Sequence, residues 1–147
     1  MALRFEQRAS DKKEQTLGHM AISDHEIVQM VSAYRLFGVW RIDVEQGHFF
    51  ASEDVHEIFQ MPFTEGPVNL VELLSRIHDD DRQLIAETFE QASLHRVGFH
   101  YAYRVQNGAG GYKMVRSVGQ FRDNEIIGIT YEFVEQLRIV GFEDNGA

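Results

Sequence analysis

His78-Asp79-Asp80-Asp81-Arg82 is the densest run of titratable side chains in the 147-residue sequence, and chemistry is best sought there first. Three carboxylates beside an imidazole have the donor set for a divalent cation or for acid–base catalysis. The same run stands where a long helix must begin. Acidic side chains at such a position satisfy unpaired backbone N–H groups and the helix dipole. Capping is the simpler reading, with Asp79 or Asp80 as the cap and His78 tethering a loop. The other histidines, His19, His25, His48, His56, His95 and His100, show neither H-x-x-x-H nor H-E-x-x-H spacing, so no metal site and no catalytic group is assigned.

Composition removes further classes. The sequence has no cysteine, which excludes disulfides, thiolate nucleophiles and cysteine-ligated zinc. Asn107-Gly108-Ala109-Gly110-Gly111 is glycine-rich but lies between two strands, so it reads as a hairpin loop and not as a phosphate cradle. A formal net charge of -9 without a compensating basic stripe argues against nucleic acid and anionic lipid as partners. No apolar run approaches the ~18 residues of a membrane span, so a cytoplasmic protein without membrane insertion is expected. Hydrophobic residues at 44% and charged ones at 25% are the balance of one ordinary globular domain.

The elements that must position these residues follow from periodicity and caps. Residues 1–21 are polar and weakly periodic, a flexible or partly helical arm. Residues 22–35 form a flanking helix, opened by the Ser23/Glu26 capping-box spacing and carrying Ile27, Val31 and Tyr34 on one apolar stripe. A hairpin comes next, 39–44 and 48–51 around Glu45-Gln46-Gly47. Ser52 caps a helix bearing Val55, Ile58 and Phe59, and Asn69 caps the segment 70–74. The long helix after His78 puts Leu84, Ile85, Thr88, Phe89 and Ala92 on one face. Strands at 97–106, 112–122 and 125–134 complete the unit, and 135–147 remain as a tail.

Particular residues sharpen this order of elements. Gly38, Trp40, Asp43, Gly47 and Ser52 fit G-x-W-x-x-D…G…S. His78 to Arg82 fits H-P-x-D-R, with Asp79 where proline is usual. Tyr103-Arg104-Val105, Gly111, Met114-Val115, Gly119 and Asp123 follow E-Y-R…G…W-V…G…D, with Ala102 replacing glutamate. Gly128 precedes Glu132-Phe133-Val134 at the spacing of a G-x-x-x-D-I-T ending. Over residues 36–134 the sequence resembles the PAS domains, in the subgroup that carries a PAC motif. The resemblance implies an α+β fold: a five-stranded antiparallel sheet with helices on one face, here with an added N-terminal amphipathic helix. It also implies a sensory or regulatory module of bacterial signal transduction, stand-alone or excised from a larger sensor, docking to a histidine kinase or other two-component regulator, with or without a small ligand inside. No cofactor is expected. Flavin photochemistry needs the missing cysteine. Haem is disfavoured because relatives commonly place its ligand in the long helix, where 83–93 holds no histidine, leaving only His95 or His100.

Strand alternation extends the resemblance to faces. Phe99, Tyr101, Tyr103 and Val105 share one side of their strand, and His100, Ala102 and Arg104 the other. In the last strand Ile127, Ile129, Tyr131 and Phe133 oppose Ile126, Gly128, Thr130 and Glu132. Relatives line their cavity with the residue two beyond the final-strand glycine, here Thr130. Matching the other strands likewise places His100, Ala102, Arg104, Met114, Arg116 and Gly128 with it, a set too polar for a large apolar cofactor. Tyr101, Tyr103, Ile129 and Tyr131 are then left outside, more apolar surface than a monomer exposes. The stripe of Ile27, Val31 and Tyr34, aided by a second copy of the chain, is expected to cover them, which makes a homodimer. The alternative from another class is a small cone-shaped, cystatin-like α+β enzyme using a His/Asp pair. Helices that interrupt the sheet after two short strands argue against it.

Overall fold

The computed structural model describes residues 3–5 and 16–133. Leu3–Phe5 forms β1, and Ser23 opens α1 (Asp24–Tyr34) as its spacing requires. The Ser23 hydroxyl accepts from the Glu26 N–H at 3.1 Å, while the Glu26 carboxylate accepts from the Ser23 N–H at 2.9 Å. β2 (Phe37–Asp43) and β3 (His48–Ala51) make the hairpin, turning at Gly47 with φ +70°. The helical stretch is α2 (Glu53–Phe59), α3 (Leu70–Ser75) and α4 (Asp79–His95), followed by β4 (Phe99–Gln106), β5 (Tyr112–Arg122) and β6 (Glu125–Glu132).

All pairings are antiparallel, in the order β1-β4-β5-β6-β2-β3. The β2–β6 pairing, from Phe37↔Tyr131 to Asp43↔Glu125, closes the C-terminal meander onto the leading hairpin. Val55, Ile58 and Phe59 of α2, Leu73 of α3, and Ile85 and Ala92 of α4 share one core with Trp40, Phe49, Tyr101, Val115 and Ile126 of the sheet. The helices thus pack on one face of the expected five strands, β3-β2-β6-β5-β4.

β1 is a sixth strand where the sequence suggests only an arm. The free edge of β4 presents unpaired N–H and C=O groups, and Leu3–Phe5 pairs there against His100–Ala102. Three residues are too few to show a period of two. Further along that edge the α3–α4 connection takes over, with the His78 N–H on Arg104 O at 3.0 Å and the Gln106 N–H on Arg76 O at 2.9 Å.

Three local expectations need correction. α1 does not cover the sheet: it buries none of its residues, and Val31 and Tyr34 are about half exposed. Only Arg35 and Leu36 separate it from β2, and Arg35 is already extended, so no length remains for the helix to double back. Ser52 makes no side-chain cap, because its hydroxyl accepts the Val39 N–H at 3.0 Å and ties β2 to the start of α2. The cap of α4 is His78, whose Nδ1 accepts from the Asp80 N–H at 3.1 Å, and not Asp79 or Asp80. Asn69 caps α3 as expected, its side-chain oxygen accepting from the Glu72 N–H at 3.2 Å.

The inner sheet face interlocks large rings with residues that lack a side chain. Trp40 lies over Gly128, where an added Cβ would stand 2.3 Å from Trp40 Cζ2 and 2.3 Å from the Val118 carbonyl oxygen. Phe99 lies over Gly119, where a Cβ would meet Phe99 Cζ at 2.7 Å.

Candidate functional site

Between the helices and the inner sheet face lies a cavity of about 280 Å³. Its walls are apolar, with Phe49 of β3, Phe59 of α2, Leu73 of α3, and Ile85 and Phe89 of α4. Tyr101, Tyr103, Ser117 and Thr130 form the sheet side. Exposed Gly47, Ala86 and Glu90 place the mouth between the β2–β3 turn and α4.

The polar atoms of the sheet side form one buried row. Trp40 Nε1–H donates to Thr130 Oγ1 at 3.0 Å, Thr130 and Ser117 hydroxyls meet at 2.6 Å, and Ser117 meets the Tyr103 phenol at 2.9 Å. The strand register assembles this row, since Tyr103 faces Val115 while Ser117 faces Thr130 across the β5–β6 pair. Burial pushes the Tyr103 phenol up to about 12, against the pull of its hydrogen bonds to Ser117 and Thr130. The row is therefore uncharged across the ordinary pH range. Each hydroxyl brings two lone pairs and a rotatable proton, so the row keeps hydrogen-bonding capacity beyond its own links.

Of the residues assigned to the interior by resemblance, Gly128 and Thr130 lie on the helix side. His100, Ala102, Arg104, Met114 and Arg116 do not, and Tyr101 and Tyr103, assigned to the outside, are 2% and 3% exposed and face the helices. The physical reason is large-against-small packing. The bulky parity of β4 belongs opposite Gly119, Ser117, Gly128 and Thr130, the small parity of β5 and β6, and Phe89 of α4 closes on it with ring centroids 5.0 Å from Phe99 and 6.2 Å from Tyr101. The interior is accordingly much less polar than expected. Ser117, Phe59 and Phe89 line the cavity without having been assigned to it. Pairing the bulky strand face with the apolar stripe of the long helix is the signal that finds them. Neither His95 nor His100 lines the cavity.

The outer face carries Val39, Ile127, Ile129 and Tyr131, and a groove of about 670 Å³ runs over it with Arg41, Phe50 and Arg122 among its walls. Tyr131 is held by the Arg116 guanidinium, whose Nη1–H donates to its hydroxyl at 3.2 Å, and Arg35 stands 5.5 Å above its ring. Ile27 is half-buried, and Val31 and Tyr34 point from α1 into solvent.

The acidic run at 79–81 is structural in its geometry. Asp81 is fully buried and takes three hydrogen bonds from Arg104: the backbone N–H at 2.9 Å, Nε–H at 2.9 Å and Nη2–H at 2.8 Å. Burial alone would raise its pKa, yet these bonds and the guanidinium charge lower it from 3.8 to about 2. Arg82 donates to Leu74 O at 2.9 Å and Ile77 O at 3.0 Å, closing the end of α3. Among the described residues no group of three His, Asp or Glu side chains is placed to hold a metal ion, and no helix is long and apolar enough to cross a membrane. Residues 134–147, and most of 1–21, lie outside the described residues.

A family model described as PAS fold matches residues 48–130, more than half of the chain. No curated protein matches the sequence. Among solved structures, the chain is similar to the N-terminal domain of a diguanylate cyclase with PAS/PAC sensor from Marinobacter aquaeolei, with TM-score 0.56 and 18% identity over 65% of this chain and 94% of that one. It is also similar to a sensory box histidine kinase/response regulator from Burkholderia thailandensis E264, with TM-score 0.57 and 18% identity over 76% of this chain and 86% of that one. Identities this low carry the fold and nothing more.

Proposed function

The chain belongs to the PAS fold family, and on that premise we propose that it is a cytoplasmic sensory module of signal transduction that admits a small molecule beneath α4 and answers through a docked protein. One observation carries the reading. A cavity of about 280 Å³ survives in a core of large aromatic residues, with its buried hydroxyls gathered in a single row on the sheet side. That size is just below the range of pockets for drug-sized ligands, which suits a compact molecule. The similarity to sensor domains of a kinase and a cyclase supports a signalling partner of that class, a histidine kinase or other two-component regulator. The module itself performs no chemistry in this reading.

Trp40 supplies the test, because it is the sole tryptophan and lines the cavity. Benzyl alcohol, a compact neutral aromatic, should change its emission saturably. Ala86→Phe, which narrows the mouth, should suppress that change while leaving the circular dichroism intact. A linear response identical in both proteins would discard the cavity as a binding site.

Docking uses the outer face. Val39 is 53% exposed on β2, and Val28, Val31 and Tyr34 are similarly open on α1, so the chain carries two apolar surfaces that it does not bring together itself. A second copy satisfies both at once if each α1 lies across the other's sheet, the homodimer expected above with its partners exchanged. Ultracentrifugation at micromolar concentration should show a dimer, and Ile129→Asp should shift it to monomer without loss of helix. A wild-type chain that stays monomeric at tenfold higher concentration would remove this surface from the reading.

A further inference from the structure

The cavity's lining constrains the charge of what it takes. Among the described residues, Glu90 is the only one on the cavity that carries a formal charge, standing exposed at the mouth, and no lysine, arginine or histidine of those residues lines it. An anionic group carried inside would lose its hydration and meet no cation, a cost of several kcal/mol. It would also pass Glu90 on the way in, against the background of a chain with net charge -9. A neutral molecule meets neither obstacle. Its polar atom finds the Thr130–Ser117–Tyr103 row, which can give a hydroxyl proton or accept through an unused lone pair. Its apolar body finds Phe59, Phe89 and Tyr101.

We propose that the ligand class of this cavity is a compact, uncharged ring compound bearing one hydroxyl, carbonyl or amide group, with Glu90 acting as the residue that turns anions away. The proposal rests on the reading of the cavity as a binding site and adds its selectivity. Cations are intermediate. They share the desolvation cost but are drawn to Glu90 and to the aromatic faces near the mouth.

Four probes of one size decide it: benzyl alcohol, toluene, benzylamine and benzoate, each titrated against Trp40 emission at low ionic strength. Benzyl alcohol should bind best, and benzoate should be weaker by about tenfold or more. Glu90→Gln, an exposed change that leaves the core alone, should narrow the benzoate gap severalfold and leave benzyl alcohol unchanged. Ser117→Ala should bring benzyl alcohol down toward toluene. Benzoate binding within about threefold of benzyl alcohol, or a gap unmoved by Glu90→Gln, overturns the selectivity while the cavity remains a binding site. Silence of Trp40 toward all four overturns the cavity reading itself, and the selectivity with it.

Discussion

Asp81→Ala should lower the stability of the fold by about 3 kcal/mol, the lower end of what is lost when one member of a buried ion pair is removed. Arg104 keeps partial access to water, with a quarter of its side chain exposed, which moderates the loss. Its backbone N–H does not have that escape, since Asp81 is its partner at the point where β4 runs past the end of β1. The deletion therefore opens the β4 edge as well as the ion pair. Chemical denaturation followed by circular dichroism measures it, and a loss under about 1 kcal/mol would mean that the contact behaves as an ordinary surface pair. Titration gives a second signature. The Asp81 carboxyl falls from 3.8 to about 2 on folding, so the unfolded chain binds the proton more readily. Its stabilisation is complete above the unfolded value, near pH 4, and declines as pH falls toward 2. Asp81→Asn keeps an acceptor for the Arg104 N–H and has no proton to take up, so its stability curve should be flatter than wild type through that interval.

Gly128→Ala should be at least as damaging, at about 3 kcal/mol, the upper end of ordinary overpacking. The new methyl group would stand 2.3 Å from both Trp40 Cζ2 and the Val118 carbonyl oxygen. The carbonyl belongs to a central strand and cannot retreat without breaking the β5–β6 ladder, so the indole must move. Movement costs the Nε1–H bond to Thr130 and the ring's contacts with Phe49 at 5.7 Å and Phe99 at 5.9 Å between centroids. Near-ultraviolet circular dichroism should weaken and Trp40 emission should shift to the red. An unchanged emission maximum with full stability would show that the sheet accommodates the methyl group and that the contact is softer than the distances imply.

Much of this architecture was legible in residue order. The Ser23/Glu26 box, the Asn69 cap and the turn at Gly47 depend on neighbours within a few residues, while the meander closing on the hairpin was implied by the resemblance to PAS domains. Side assignment was not so local. β4 offers a bulky parity and a polar parity, and either can face inward until the partner strands are registered. The resemblance placed Thr130 and Gly128 on the helix side but supplied no equivalent anchor in β4, and a slip of one residue exchanges the two sets completely. His78 was likewise hidden: an imidazole is an uncommon cap, and three aspartates beside it competed for the role. One of them, Asp81, is drawn instead to a strand twenty-three residues away, a pairing that no local pattern announces.

The indole of Trp40 fills the inner side of Gly128, while Trp40, Gly119 and Gly128 also stand among the walls of the outer groove. A single thickness of sheet thus parts the cavity from the outer groove. Under the proposed function, an occupant beneath α4 would act on the docking face across that one layer of backbone.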